Sequence, residues 1–373
     1  MILLARGLLA LSYDPSVARA LVLFLGSSCR RKCLLLKVIV RLSTGQAVAH
    51  THVELMKPRF FITIDTEEDD WGEYRSSGFS LKAIQELHRV QDIFNAYGAV
   101  PTYLITYPVV NDPASNAFFL EQLANQRCEI GAHCHPWNTP PFCEELNERN
   151  SMLCNLPYAT VKAKIATLKE AISKSFNIVP LCFRAGRWGF GPEVAAAIYE
   201  LGFRVDTSVC PYVDWSLVNG PDYRAAPTCT YRFRPNEILS AVPNGPLLEV
   251  PATIGFLQRD ERFCRRATAA RGLARWLHIR GLLDKARIVN LRWLSPELSS
   301  ARDMVALAKR TLWRGCTHLN LSFHSTTLVP GRTPFVRTAR DLDIFLRSVE
   351  AVIKYAAAEG LVFGGLSHLL QDA

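Results

Sequence analysis

An apolar run of strand character ends in a cluster of carboxylates near residue 65. Residues 60–64 read Phe-Phe-Ile-Thr-Ile, and the next five residues contain four acidic side chains. Because strand side chains alternate between two faces, Asp65 and Glu67 are expected to project together, with Glu68 pointing the opposite way. This pairing of carboxylates at the end of an apolar strand predicts a functional site.

A second strand-like run, at 128–132, ends in His133-Cys134-His135. The same alternation directs both imidazoles to one face and the Cys134 thiol to the other. Two histidines and one carboxylate form the ligand set of a catalytic zinc site that keeps one position open. Glu67, His133 and His135 are therefore candidate metal ligands.

Strand-like and helix-like patterns alternate from residue 56 onward, which indicates a parallel sheet with crossover helices. We expect an α/β fold in which about seven parallel strands form an incomplete (β/α) barrel, within a single catalytic domain that spans 56–373. The predicted strands are 60–64, 100–105, 129–132, 181–183, 203–205, 247–250, 318–323 and 361–363, and the predicted helices are 81–97, 115–126, 158–176, 192–201 and 338–359.

Polar side chains follow several of these predicted strands. In barrels of this type the chemistry lies at the carboxyl ends of the strands. The residues found there are Asp65 and Glu67 after the first strand, His133 and His135 after the third, Arg184 after the fourth, Asp206 after the fifth and His324 after a late strand.

The formal charge of +9 is unevenly distributed. Residues 258–292 carry a surplus of +7 and residues 1–55 a surplus of +5, so the remainder is −3. Because the candidate site segments are acidic, nucleic-acid binding is not favoured. The spacing in the first of these regions predicts a basic helical insert at about 258–314, for which we consider a solvated lid, an acidic or lipid-linked glycan and a phospholipid surface.

The first 55 residues differ from the rest. Their apolar stretches are shorter than a membrane span, and we interpret the segment as an atypical tail that is not part of the native protein, with Met56 as the natural start. Eleven cysteines are scattered without C-x-x-C pairs. We interpret them as reduced thiols, which predicts a cytoplasmic protein. The oligomeric state is not predicted.

Five segments, in order, resemble the motifs of the polysaccharide deacetylases, the NodB-homology carbohydrate esterases. The similarity covers residues 58–370 and implies a distorted (β/α) barrel that removes acetyl groups from sugars with a divalent metal, which would be zinc, with cobalt or nickel as alternatives. The segments are Ile64-Asp65-Thr66-Glu67, residues 131–136, residues 183–189, Asp206-Thr207-Ser208 and residues 321–325.

The resemblance also implies roles for individual residues. Asp65 matches the general base, and His324 matches the general acid. Arg184 matches the residue that orients the base, and Asp206 matches the carboxylate that holds the acid. The metal ligands correspond to Glu67, His133 and His135, but most members separate the two histidines by three residues and many have Asp in place of Glu67, so Glu68 is kept as an alternative ligand.

Aromatic residues close to the motifs are candidates for binding sugar rings. Trp137, Trp188 and Tyr212 are assigned to the substrate, because flat apolar faces beside polar groups suit sugars. An aromatic core at the barrel rim explains the same residues equally well.

The sequence thus predicts a metal-dependent hydrolase that removes acetyl groups from N-acetylated sugars of a polysaccharide or its precursor. Two alternatives stay open. The first is a metal-independent amidohydrolase that acts on a small ureide or amide in the same fold. The second is a carbohydrate-binding pseudoenzyme without turnover.

Overall fold

The computed structural model describes residues 36–38, 51–53, 57–269 and 279–371. The chain divides into two compact units, Met1–Lys57 and Pro58–Ala373. In the first unit, strands β1 (Leu36–Val38) and β2 (Thr51–Val53) pair antiparallel, with Leu36 opposite Val53. The interpretation of 1–55 as an added tail lies largely outside the described residues and stays a prediction.

The second unit is built from strands and helices that mostly alternate along the chain. Its strands are β3 (Arg59–Thr66), β4 (Thr102–Ile105), β5 (Glu129–Cys134), β6 (Cys182–Ala185), β7 (Val205–Asp206), β8 (Tyr231–Phe233), β9 (Leu247–Glu249), β10 (Ile254–Phe256), β11 (Leu291–Trp293), β12 (His318–His324) and β13 (Val362–Phe363). Its helices are α1 (Lys82–Gln85), α2 (His88–Tyr97), α3 (Tyr107–Val110), α4 (Pro113–Ala124), α5 (Tyr158–Phe176), α6 (Pro192–Glu200), α7 (Glu261–Ala269), α8 (Ile279–Lys285), α9 (Ala301–Trp313) and α10 (Ala339–Ala358).

Seven parallel strands form the main sheet, in the order β12-β3-β4-β5-β6-β7-β9. Strand β8 adds antiparallel to β9, and β13 pairs with the start of β3. In the described part of the chain, no ladder joins β8 or β9 to β12. The predicted incomplete barrel of about seven parallel strands is therefore confirmed.

The inside of this sheet is closed at the amino ends of the strands by an apolar layer. It contains Phe61 of β3, Leu104 of β4, Cys182 of β6, Val205 of β7 and Leu248 of β9. The short helix Leu366–Leu370 packs on the same layer. Because strand residues alternate, the inward positions of β3 after Phe61 are Thr63 and Asp65, so polar side chains lie above an apolar floor.

The insert has a different structure from the one predicted. It contains helices α7, α8 and α9, but also strand β11, which pairs antiparallel with β10. This pair lies beside the opening of the sheet: the backbone N–H of Ser322 donates to Leu294 O (3.1 Å), and that of Asn320 donates to Thr253 Oγ1 (2.8 Å). Strands β8, β10 and β11, of three residues each, were not predicted.

Side-chain caps define several helix starts. Asp112 caps α4, Ser300 caps α9, and Thr338 forms a capping box with Asp341 at the start of α10. These caps satisfy backbone N–H groups that have no partner within the helix. No helix in the described ranges is long and apolar enough to cross a membrane.

One expectation about the cysteines is wrong. Cys229 and Cys316 form a disulfide, whereas all eleven were predicted to be reduced. Among the other cysteines in the described ranges, the buried Cys134 and the exposed Cys143 form no disulfide. The disulfide is typical of oxidising compartments, so the thiol argument for a cytoplasmic protein does not hold for this pair, and localisation stays a prediction.

Candidate metal and catalytic site

Glu67, His133 and His135 converge at the carboxyl ends of β3 and β5. Glu67 Oε2 lies 3.5 Å from His133 Nε2 and 3.3 Å from His135 Nε2, and all three side chains are buried. A tetrahedral zinc ion with ligands about 2.0–2.1 Å away places ligand atoms about 3.3 Å apart. One oxygen and two nitrogen donors at these distances fit a divalent metal.

The protonation of these residues is consistent with a cation site. His133 Nδ1 lies 3.1 Å from the carbonyl oxygen of Arg184, so the Nδ1–H donates there and the Nε2 lone pair faces Glu67. Burial lowers the pKa of His133, which favours the neutral, ligating form. Burial also raises the pKa of Glu67 to about 7, against the opposing charges of His135 and His324. A bound cation would restore the charge of this desolvated carboxylate.

Gly186 makes room for His135. A Cβ at this position would lie 2.8 Å from the Cys134 carbonyl oxygen and would overlap the His135 ring. A larger residue would therefore displace the imidazole. Cys134 is buried on the other side of the strand, within the apolar core, and burial raises the pKa of its thiol to about 12.

Strand alternation predicted that Glu68 points away from the site. In the structure it does not. Strand β3 ends at Thr66, so the alternation no longer applies. Glu68 accepts hydrogen bonds from Asn138 Nδ2 (2.8 Å) and Trp137 Nε1 (3.3 Å), and its Oε1 lies 3.5 Å from His135 Nδ1. Although burial acts to raise its pKa, His135 and Asn138 lower it to about 2. Glu68 therefore orients His135, and it is not placed as a ligand in the cluster.

Asp65 is an ionised carboxylate held by Arg184. The guanidinium donates to Asp65 Oδ1, Thr63 Oγ1 (2.8 Å) and Thr207 O (2.9 Å), and it is almost completely buried. Burial alone would raise the pKa of Asp65, but Arg184, His133 and His324 lower it to about 2. The expected pairing of Arg184 with Asp65 is present in the structure.

His324 lies opposite Arg184 on the other side of Asp65. In the sheet, His324 of β12 is in register with Asp65 of β3, and its Nε2 lies 3.5 Å from Asp65 Oδ2. Its Nδ1 lies 3.0 Å from Glu297 Oε2, and its backbone N–H donates to Glu297 Oε1 (2.9 Å). Burial lowers the pKa of His324, but Glu297, Glu67 and Asp65 together raise it to about 10.

The expected contact between Asp206 and His324 is absent, and Glu297 occupies that position. Val205 belongs to the inner apolar layer, so alternation turns Asp206 to the other face of β7. There Asp206 accepts hydrogen bonds from the N–H (2.9 Å) and hydroxyl (2.8 Å) of Ser208 and lies beside Glu249. Asp206 therefore supports the β6–β7 edge and does not touch His324.

Glu297 carried no signal in the sequence. It does not follow a strand directly, since it lies in the segment between β11 and α9. Only the folding of the insert brings it to His324, which explains why strand-end reasoning missed it.

The reactive groups lie at the base of a cavity of about 430 Å³. Trp137 and Trp188 line this cavity as predicted, and Trp137 stacks on His135 with ring centroids 4.1 Å apart. Tyr212 does not line it, since its hydroxyl donates to Glu261 Oε1 (2.8 Å), and its assignment to the substrate stays a prediction. The other aromatic residues that line the cavity are Trp71, Tyr74, Trp215, Trp293, Phe323 and Phe335.

A strained turn after β6 places Trp188. Arg187 and Trp188 have φ values of 54° and 58°, in the left-handed region that bulky residues rarely adopt. The turn directs Trp188 over the Arg184 guanidinium, 4.9 Å from the ring centroid, and 5.9 Å from Trp293. Such strain is characteristic of functional positions.

A buried lysine holds the loop that follows β5. Lys164 Nζ donates to the carbonyl oxygens of Pro136 (2.9 Å), Thr139 (2.7 Å) and Pro141 (2.6 Å) and forms an ion pair with Glu144 (2.8 Å). Its side chain is completely buried. The loop carries Trp137 and Asn138, so α5 fixes part of the site from behind.

No family model and no curated protein matches this chain. Among solved structures, it is similar to a candidate polysaccharide deacetylase from Mycobacterium smegmatis at 13% identity and a TM-score of 0.46, covering 85% of this chain and 91% of the other. It is also similar to the Puue allantoinase, at 14% identity and a TM-score of 0.45, with coverage of 84% and 89%.

A third similar structure is a family 4 carbohydrate esterase from Streptomyces lividans in complex with acetate, at 11% identity and a TM-score of 0.39, covering 84% of this chain and 95% of the other. At these values the likeness does not by itself assign an activity to this chain.

Proposed function

We propose that this chain is a metal-dependent hydrolase that removes acetyl groups from N-acetylated sugars of a polysaccharide or its precursor. The observation that carries the proposal is the convergence of Glu67, His133 and His135 beside the ionised Asp65 and the protonated His324. These five groups supply metal ligands, a base and an acid within one aromatic-lined cavity.

The roles follow from position and charge. Glu67, His133 and His135 would hold a divalent metal. The metal would supply Lewis acidity and would lower the pKa of a water molecule. Asp65 is ionised at neutral pH and accepts a proton from the attacking water. His324 is protonated at neutral pH and donates a proton to the departing amine, with Glu297 holding its ring in place.

The cavity is suited to a sugar. Trp137 and Trp188 present flat apolar surfaces close to His135 and Arg184. Aromatic rings of this kind stack on the apolar faces of sugar rings, while the carboxylates near them accept hydrogen bonds from hydroxyls. An N-acetyl sugar therefore fits the lining better than a purely polar substrate.

Acetate release tests the proposal. The protein is treated with a chelator, and Zn²⁺, Co²⁺ or Ni²⁺ is added back in separate samples. Each sample is offered N-acetylglucosamine oligomers, peptidoglycan and lipid-linked N-acetylated sugars. We expect acetate release that is lost on chelation and restored by metal, and release at least about 10²-fold slower from the matched Asp65→Asn variant.

Two outcomes would contradict the proposal in different ways. Full activity in protein whose metal content has been shown to be negligible would favour the metal-independent amidohydrolase. Stoichiometric metal and measurable glycan binding, without acetate release from any substrate, would favour the pseudoenzyme.

A further inference from the structure

Helices α7 and α8 of the insert carry exposed side chains that the proposed function does not use. These residues, called together the basic face, are Arg262, Phe263, Arg266, Leu282 and Lys285. The exposed fractions of Phe263 and Leu282 are 51% and 68%, and the three cations are also exposed. The feature of interest is therefore the combination of exposed apolar and cationic side chains on the same two helices.

Each of the two helices packs against an apolar cluster through the side that does not carry the basic face. Cys264 of α7 packs in one apolar cluster with Phe256 and Val289, and Leu283 of α8 packs against the same cluster. The residues next to these, Phe263 and Leu282, therefore point outward. Each precedes a cation by three positions, Arg266 and Lys285 respectively, which places each pair on one side of its helix.

Three acids near the basic face have other partners, and one of them, Asp260, accepts a hydrogen bond from the backbone N–H of Phe263 (2.9 Å) at the start of α7. Glu261 pairs with Arg265 (2.7 Å) and Arg314 (3.5 Å), and Asp284 pairs with Arg292. Within the described ranges, no carboxylate lies within ion-pair distance of Arg262, Arg266 or Lys285. The basic face therefore keeps its positive charge.

We infer that the basic face docks on an anionic phospholipid surface. Unneutralised cations attract the negative headgroups, and each Lys or Arg near such a surface contributes about 1 kcal/mol. Phe263 and Leu282 enter the boundary between headgroups and acyl chains, as apolar residues of interfacial helices do. An anionic polymer would use the cations but would leave both apolar side chains in water, so the combination favours a membrane surface.

Vesicle sedimentation of the full chain tests this inference. The vesicles contain phosphatidylcholine alone or mixed with phosphatidylglycerol. We expect binding only to the mixed vesicles and a decrease at high salt. The charge variant Arg262→Gln/Arg266→Gln/Lys285→Gln should bind about tenfold more weakly or worse, and the apolar variant Phe263→Ser/Leu282→Ser should also lose most of its binding.

A matched control carries the same kinds of change at exposed positions before β5 and β6, namely Arg127→Gln and Val179→Ser. It should bind like the wild type, and circular dichroism should show all variants folded. Equal binding by the wild type and either variant would overturn the inference. Loss in the charge variant alone would also overturn it, because an anionic polymer or glycan would then be the partner.

Discussion

Glu297 sets the charge of His324, and this contact predicts how activity depends on pH. Removing the carboxylate by Glu297→Gln takes away the largest of the neighbouring charges that raise the pKa of His324. The pKa of His324 should fall, and because the acid must be protonated to donate, the alkaline limb of kcat/KM should move to lower pH. The pH profile of acetate release measures this.

The control for this prediction is Glu170→Gln, at an exposed position on α5. It should leave the profile unchanged. An alkaline limb at the same pH in the Glu297→Gln and wild-type proteins would show that His324 is not the acid, or that Glu297 does not set its charge.

Asp65 is the proposed general base, and replacing it tests this role. Asp65→Asn cannot accept a proton from water, so kcat should fall by about 10²- to 10⁴-fold. The metal content should remain that of the wild type, because Asp65 is outside the cluster of candidate ligands. Acetate release and elemental analysis measure the two quantities, with the exposed Asp343→Asn as control. Loss of metal together with activity would make Asp65 a ligand.

Which site residues the sequence could reveal depends on how each one is placed. Asp65, His133 and His324 lie in the last two residues of their strands, and strand order alone brings them to one edge. Glu297 and Trp71 lie in segments whose path depends on packing of the whole domain, so no local pattern identified them. Glu68 was misplaced because strand alternation was extended two residues beyond Thr66, where β3 ends.

Helix α5 stabilises the site from behind through one buried charge. In Lys164→Met, three carbonyl oxygens would lose their donor and Glu144 would lose its cation. Breaking a buried pair in this way costs about 3–5 kcal/mol. We expect a lower free energy of unfolding in urea and weaker metal binding, because the loop that carries Trp137 loosens.

Lys162→Met is the matched control, since this lysine lies on the same helix but pairs with Glu200 at the surface. Exposed pairs contribute about 0–1 kcal/mol. Equal stability of the Lys164→Met and Lys162→Met variants would show that the buried contacts are not needed.

Strands β7 and β9 bring two buried carboxylates, Asp206 and Glu249, side by side. Glu249 Oε1 accepts from Val209 N (3.0 Å), while no donor in the described chain reaches its buried Oε2. Burial and the charge of Asp206 raise the pKa of Glu249 well above the ordinary value of 4.5. The folded protein therefore binds this proton at pH values where the unfolded chain has lost it.

The raised pKa of Glu249 makes the free energy of unfolding depend on pH. Because the folded pKa is raised, stability from this group is full below about pH 4.5 and falls as the pH rises, by at most about 1.4 kcal/mol per pH unit. Glu249→Gln keeps a donor without a titrating proton, so its stability relative to the wild type should increase between about pH 5 and about pH 9. Urea unfolding measures this, with exposed Glu237→Gln as control, and a difference that stays constant with pH would contradict the raised pKa of Glu249.

The strands that were predicted and those that were missed differ in what they bury. Strands β3 and β5 have long buried runs, which the sequence shows as apolar residues. Strands β10 and β11 have three residues each and pair only with one another, so neither repeats a period long enough to recognise. Their position beside the opening depends on β9 and β12 being in place, which is information that no local segment contains.

On the scale of the whole molecule, the open side of the barrel is the least supported part of the sheet. Strand β12 has a ladder partner on one side only within the described ranges, and β8 is the last strand at the other end. Cys229 lies just before β8, and Cys316 lies just before β12. Their disulfide therefore links the two ends of the sheet across 87 residues of chain.

A link between distant segments restricts the unfolded chain, and this predicts a contribution to stability. The double variant Cys229→Ser/Cys316→Ser should lose about 2–4 kcal/mol of unfolding free energy. Reducing agent should lower the Tm of the wild type and of the control Cys143→Ser, whose thiol is exposed and free, but not that of the double variant. If Cys229 and Cys316 instead react with an alkylating reagent in native, unreduced protein, no disulfide joins the two ends of the sheet, and the open side is supported by noncovalent contacts alone.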